Sequence, residues 1–113
     1  MTPADVVTPW FEHAFCIASD HPALPGHFPG NPLVPGVILL EQVALGLRAW
    51  RAERLSRVLE AKFMAPLLPS ERAVVRLTPV AAAAAVSGAA PRIRFEIFRD
   101  DTLLARGTVE GAA

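Results

Sequence analysis

The alternation of hydrophobic and polar positions in this chain predicts one long apolar helix among several short strands. Residues 36 to about 50 are apolar on nearly every helical face until Arg48, which is typical of a helix buried within a protein. The preceding segment, 29–35, holds three prolines, so we predict a stiff loop with Pro35 as the first helical residue. At about fifteen residues, the helix is too short for the roughly 20 that a membrane span needs.

The strand-like segments are arranged before and after this helix. Period-two alternation and turn residues predict strands at 10–19, 57–63, 71–80, 92–99 and 102–110. We expect a turn at Asp100 and Asp101, an antiparallel meander in the C-terminal half, and a flexible connection in the alanine-rich stretch 81–91. One apolar helix beside an antiparallel sheet predicts an α+β domain over residues 1–113, with the sheet wrapped around the helix.

Composition adds an expectation about assembly. Hydrophobic residues make up 52% of the 113 positions and charged residues only 19%, which suits a chain that buries further surface in an oligomer. We therefore expect at least a dimer. The formal net charge of zero provides no bulk attraction to nucleic acid.

The single cysteine and the N-terminal residues indicate in which cellular compartment the protein is expected. Cys16 has no partner for an internal disulfide and is predicted to be a small core residue. No charged region followed by an apolar run is present at the N-terminus, so the expected location is cytoplasmic.

Candidate chemistry gathers where the proline-rich loop meets the helix. The first free amides there, Gly36 N–H and Val37 N–H, should point out of the positive helix end and form an oxyanion site. Glu41 is the one carboxylate within the apolar helix, and burial should raise its pKa. The alternative is that Glu41 points to an edge and is solvated. His27 lies fourteen residues earlier; taken alone it is more simply a loop histidine bound to backbone, but together with Glu41 it favours a catalytic pair.

The run Gly-His-Phe-Pro-Gly-x-Pro-x-x-Pro-Gly-Val at 26–37, followed by Glu41, resembles the 3-hydroxyacyl-[acyl-carrier-protein] dehydratases of the FabZ- and FabA-like hotdog family. The segment Lys-Phe-Met-Ala-Pro-Leu-Leu-Pro at 62–69 resembles the short aryl-polyene, or ApeI-like, members in particular. The similarity covers roughly residues 12–110. It implies the hotdog fold and a dimer whose two catalytic side chains come from opposite subunits.

The resemblance also implies residue roles. His27 would be the general base, Glu41 the partner acid, and Gly36 N–H the donor to the thioester oxygen, with Val37 and Phe28 beside the substrate. Removal of water from a 3-hydroxyacyl thioester needs this set, because one group takes the C2 proton, another protonates the leaving hydroxyl, and donors stabilise the oxygen. The expected substrate is attached to the phosphopantetheine of acyl carrier protein. The reaction is expected to need no metal and no other cofactor.

Several alternatives stay open at this point. Arg48, Arg51 and Arg54 form either a docking patch for the acidic carrier protein or a solvated helix end that favours cations. Leu45 stands where many relatives have glutamine. A hotdog thioesterase, a noncatalytic subunit, or a heteromer with a second hotdog chain are further readings. The other histidines, His13 and His21, have no metal-ligand spacing and are predicted to be structural or solvated.

Overall fold

The computed structural model describes residues 10–22, 33–80 and 91–113. In these ranges the chain forms strand β1, helix α1 and strands β2 to β5, which confirms the predicted order. Their bounds are Phe11–Cys16 for β1, Gly36–Arg51 for α1, Arg54–Phe63 for β2, Arg72–Pro79 for β3, Arg92–Arg99 for β4 and Thr102–Ala112 for β5. The strand predicted at 92–99 has the observed ends, whereas β2 begins three residues earlier than predicted and β5 continues two residues further.

The strands form one antiparallel sheet in the order β1-β3-β4-β5-β2. Strands β3, β4 and β5 follow one another as the predicted meander, and Asp100 takes a left-handed conformation, φ 52°, in the turn before β5. The expectation of a meander through the whole C-terminal half was wrong for β2, because that strand pairs with β5 at the far edge of the sheet. The segment 64–71 therefore crosses from one side of the sheet to the other.

One face of the sheet packs against α1, which confirms the predicted α+β arrangement. Side chains on one face of β3, β4 and β5 are fully buried against the helix; the largest are Leu77, Ile93, Phe95, Ile97 and Leu104. The helix contributes Ile38, Leu39, Gln42, Val43, Gly46 and Leu47 to this interface. Because the sheet covers only that side, the expectation that the helix is buried on nearly every face was wrong.

Both ends of α1 are defined by backbone conformation. Pro35 has φ −62° and ψ 149° and is the N-cap rather than the predicted first helical residue, so the helix begins at Gly36. At the other end Ala52 is left-handed, φ 56°, and its N–H donates to Arg48 O at 2.9 Å. The last turn is anchored because the Trp50 ring stacks on Phe11 of β1, with centroids 6.0 Å apart.

Cys16 lies on the outer face of β1. Phe11 and Phe15 are directed toward the helix side, and alternation along the strand therefore directs Cys16 outward, where it is exposed. The prediction that Cys16 is a core residue was wrong, because apolar neighbours in sequence point to the opposite face of a strand.

Two predictions concern segments outside the described ranges. These are the alanine-rich connection, of which only Pro91 is described, and the loop that holds His27 and Phe28. Within the described ranges, no helix has the length and hydropathy that crossing a membrane requires.

Candidate active site

The start of α1 presents unbonded backbone donors. Ile38 N–H and Leu39 N–H both donate to Pro35 O, at 3.0 and 3.4 Å. Among the described residues, neither Gly36 N–H nor Val37 N–H has a hydrogen-bond partner, and no side chain caps this helix end. Amides of a first helical turn point along the axis from its positive end. This geometry fits the predicted oxyanion donors.

An apolar pocket of about 590 Å³ opens beside these amides. Its walls come from two segments, 33–36 together with Leu39 on the helix side, and 63–67 after β2. Gly36 lies so close to the Phe63 ring that a Cβ atom at residue 36 would stand 2.9 Å from Phe63 Cζ. A pocket of this size and composition suits an apolar or thioester-bearing chain.

The far wall of the pocket is tied to the start of the helix. Val34 N–H donates to Leu67 O at 2.8 Å, which joins the segment before α1 to the loop after β2. Arg99 of β4 holds the same loop, because its Nη1 donates to Pro66 O at 2.8 Å and lies 3.3 Å from Glu71 Oε1. The pocket wall is therefore fixed by hydrogen bonds as well as by packing.

Glu41 lies about 7.5 Å further along the helix axis than Gly36, on the side away from the sheet. Its side chain is exposed in the chain, so the expectation that the chain buries Glu41 was wrong and the solvated alternative describes it. Val37 and Leu45, one turn before and one turn after, are also exposed, at 71% and 47%. Glu41 therefore stands between two exposed apolar side chains on one helix face.

The buried polar group of the helix is instead the next residue, Gln42. Only 9% of Gln42 is exposed, and its Oε1 accepts a hydrogen bond from His13 Nε2 at 3.1 Å. This agrees with the prediction that His13 is structural. The pair was not predicted from the sequence. Two signals were available, because Gln42 shares a helix face with Ile38 and Gly46, and His13 lies between the two inward-facing phenylalanines of β1 on the same strand face.

The three arginines near the helix end differ in solvent exposure. Arg48 and Arg54 are exposed, whereas the Arg51 guanidinium lies over the Trp50 ring at 4.1 Å from its centroid and is partly buried. Arg48 and Arg51 occupy the last helical turn, where cations complement the macrodipole. The structure thus leaves Arg48 and Arg54 as the accessible part of the predicted patch.

Residues 10–22, 33–80 and 91–113 contain no group of three His, Cys, Asp or Glu side chains that could hold a metal ion. His21 is half-buried, and its backbone N–H donates to Ala18 O at 3.0 Å.

Comparison with solved structures places this architecture in the hotdog fold. The dehydratase heterocomplex ApeI:P from Xenorhabdus doucetiae superposes with a TM-score of 0.74 at 17% identity, over 96% of this chain and 91% of that chain. Slr0204, a 1,4-dihydroxy-2-naphthoyl-CoA thioesterase from Synechocystis, superposes with a TM-score of 0.63 at 19% identity, over 91% and 80%. At these identities the likeness shows a shared fold and carries no activity with it.

Sequence comparison identifies the family. The ApeI-like family model, described as ApeI dehydratase, matches residues 8–107, and the chain belongs to this family. The 3-hydroxyacyl-[acyl-carrier-protein] dehydratase FabZ of Haemophilus influenzae is 33% identical over 73 residues, which are 56% of this chain and 49% of the relative. The chain thus spans about half the length of the curated relatives it matches. The resemblance drawn from the motif is confirmed.

Proposed function

We propose that this protein removes water from 3-hydroxyacyl thioesters on acyl carrier protein and forms trans-2-enoyl thioesters. The observation that carries the proposal is the arrangement at the start of α1. The amides of Gly36 and Val37 have no partner in the described chain, Gly36 lines an apolar pocket, and Glu41 projects from the same helix. Membership of the ApeI-like dehydratase family supports the same reaction.

In the proposed step, His27 takes the C2 proton of the substrate. The C2–H electron pair becomes the C2–C3 double bond, and the C3 hydroxyl leaves as water after Glu41 protonates it. The thioester oxygen gains negative charge meanwhile, and Gly36 N–H donates to it, with Val37 N–H beside it. Phe28, next to His27 in the loop, would contact the substrate. The step needs no metal and no cofactor other than the phosphopantetheine arm that carries the acyl group.

A second subunit would complete the site. The chain exposes Val37 and Leu45 on either side of Glu41, and a covering surface would both bury these apolar side chains and exclude water from the carboxyl group. We propose that this surface belongs to another hotdog subunit, either a second copy of this chain or a related one. The Xenorhabdus doucetiae structure is itself described as a heterocomplex, which supports the second possibility.

Arg48 and Arg54 would contact the carrier protein. Both are exposed at the C-terminal end of α1 and the start of β2, and a chain of zero net charge needs a local cationic patch to attract an acidic carrier. Arg51 contributes mainly to packing, because its guanidinium is held against Trp50.

The reaction is tested by incubating the purified protein with a carrier-bound 3-hydroxyacyl thioester and following the intact carrier by mass spectrometry. Loss of one water, with the acyl group still attached, is the expected result. Release of the free acid and free carrier thiol would instead identify a thioesterase, which shares this fold. Absence of both reactions over several chain lengths, with a co-purified hotdog partner present, would identify a noncatalytic subunit.

A further inference from the structure

The strongest unexplained feature of the structure is a polar pair inside the apolar layer between α1 and β1. His13 Nε2 donates to Gln42 Oε1 over 3.1 Å, and Gln42 is the one buried polar side chain in the described part of the chain. A buried amide is costly to leave without a hydrogen bond. The two residues are therefore expected to stay bonded whenever the helix is docked on the sheet.

Close packing reinforces this bond one turn further along the helix. A Cβ atom at Gly46 would lie 3.2 Å from His13 Cβ and 3.6 Å from His13 Cγ. Residues 42 and 46 are neighbours on one helix face. The histidine therefore lies against the helix between an amide oxygen that accepts its hydrogen bond and a glycine that leaves room for it.

The apolar residues of the helix define its buried side only in part, because large apolar side chains occur on its exposed side as well. Val37 and Leu45 point away from the sheet and are exposed, while Ile38 and Val43 point toward it and are buried. Apolar contacts are not directional, and a rotation of about 100° would exchange one apolar residue for its neighbour. Gln42 is different, because only one rotation of α1 brings its amide to His13.

Glu41 is the residue whose direction depends on this choice. It adjoins Gln42 in the chain, about 100° away around the helix, so when Gln42 faces β1 the carboxyl group lies on the side that the sheet leaves open. We propose that His13 and Gln42 are positioning residues that set the rotation of α1 about its axis and thereby aim Glu41 at the reacting hydroxyl. This inference rests on the proposed dehydration and extends it to residues that touch neither the pocket nor the substrate.

The test compares Gln42→Leu, which removes the acceptor at similar size, with Gln42→Glu, which keeps one for His13. Misplacing a reacting group by about 1 Å costs up to about 100-fold in rate, so we expect Gln42→Leu to lower kcat by about 10-fold or more. KM should stay within about twofold of wild type, because the pair does not line the pocket. Gln42→Glu should retain most of the activity.

Each substitution is repeated in a Glu41→Gln background. If the pair acts through Glu41, Gln42→Leu will have little further effect there on the residual rate. Equal losses in both backgrounds, or an unchanged kcat in the Gln42→Leu variant, would overturn the proposal. Val109→Ala, at a buried site on β5, controls for a general loss of stability, and its kcat should change less than that of Gln42→Leu at matched unfolding free energy.

A second readout separates this inference from the proposed reaction. If the wild-type protein dehydrates no 3-hydroxyacyl thioester, the proposed function fails, but the orientation of α1 is still measurable in crystal structures of the wild type and Gln42→Leu. A rotated or mobile helix in the variant is the expected result. A helix unchanged in the variant would overturn the role of the pair.

Discussion

The Phe63 ring lies against Gly36 at the start of α1, so that a Cβ atom at residue 36 would stand 2.9 Å from Phe63 Cζ and 3.1 Å from Cε1. The ring is 48% exposed, so it has room to move. The contact therefore affects the width of the pocket more than the stability of the fold.

Gly36→Ala should consequently separate activity from stability. Alanine favours a helix over glycine by about 0.5–1 kcal/mol, which offsets the displacement of an exposed ring, so we expect the unfolding free energy to change by less than about 1 kcal/mol. The displaced ring should narrow the pocket and raise KM for an acyl substrate. Steady-state kinetics and chemical denaturation measure the two effects. Gly36→Ala combined with Phe63→Leu should restore KM, and a KM unchanged in the single variant would contradict this view of the pocket.

We predict that Arg99 restrains the loop after β2, which forms one wall of the pocket. Arg99→Met removes the bonds to Pro66 O and Glu71, and because Arg99 and Glu71 are partly exposed the cost should be only about 1–2 kcal/mol. The freed loop should be cleaved faster by protease near residues 64–70. Arg94→Met, an exposed position on the same strand, is the matched control. Equal cleavage rates in the two variants would show that Arg99 does not restrain the loop.

A substitution at Leu45 tests whether a second subunit covers this face of the helix. Leu45→Arg puts a charge on the exposed apolar face beside Glu41, and burying an unpaired charge in an interface is strongly unfavourable. We expect analytical ultracentrifugation to show dissociation, with loss of activity. Ala14→Arg, on the exposed outer face of β1, should leave the assembly intact. If Leu45→Arg sediments like the wild type, this helix face is not the subunit interface.

The cationic patch is tested by reversing charge at its exposed members. Arg48→Glu with Arg54→Glu should raise KM for a carrier-bound substrate about tenfold, because charge complementarity drives encounter with an acidic partner. A small thioester without the carrier should be used equally well by both proteins. Arg94→Glu with Arg106→Glu, on the exposed outer sheet face, is the control. The same rise in KM in this control would indicate a bulk charge effect.

Much of the fold was predictable because its signals are local. Apolar and polar positions alternate from Arg92 to Ile97, so β4 was predicted with its observed ends, and the two aspartates marked the following turn. The partner of β2 was not predictable in the same way. Strand pairing depends on which edge a chain reaches after a crossover, and no residue within β2 encodes that β5 is its neighbour.

The start of the helix was predictable, but the environment of Glu41 was not. The proline-rich loop and Gly36 indicated where the helix starts and where its free amides lie, whereas the roles of His27 and Glu41 are predictions from the family motif. The exposure of Glu41 could not be predicted, because a helix that is apolar on nearly every face gives little indication of which side its own sheet covers and which side stays exposed. Gln42 was overlooked for the same reason, since its buried face is defined only by contact with His13.

The proposed dehydration is tested most directly by the rate at which a carrier-bound 3-hydroxyacyl thioester loses water with the wild type and with His27→Ala, Glu41→Gln and Glu60→Gln, read from the mass of the intact carrier. Glu60 is an exposed carboxylate on β2 and serves as the control. We expect loss of water with the wild type and Glu60→Gln, and a decrease of about 100-fold or more with each of the other two variants. Near wild-type dehydration by either His27→Ala or Glu41→Gln would contradict the proposed roles of these two residues.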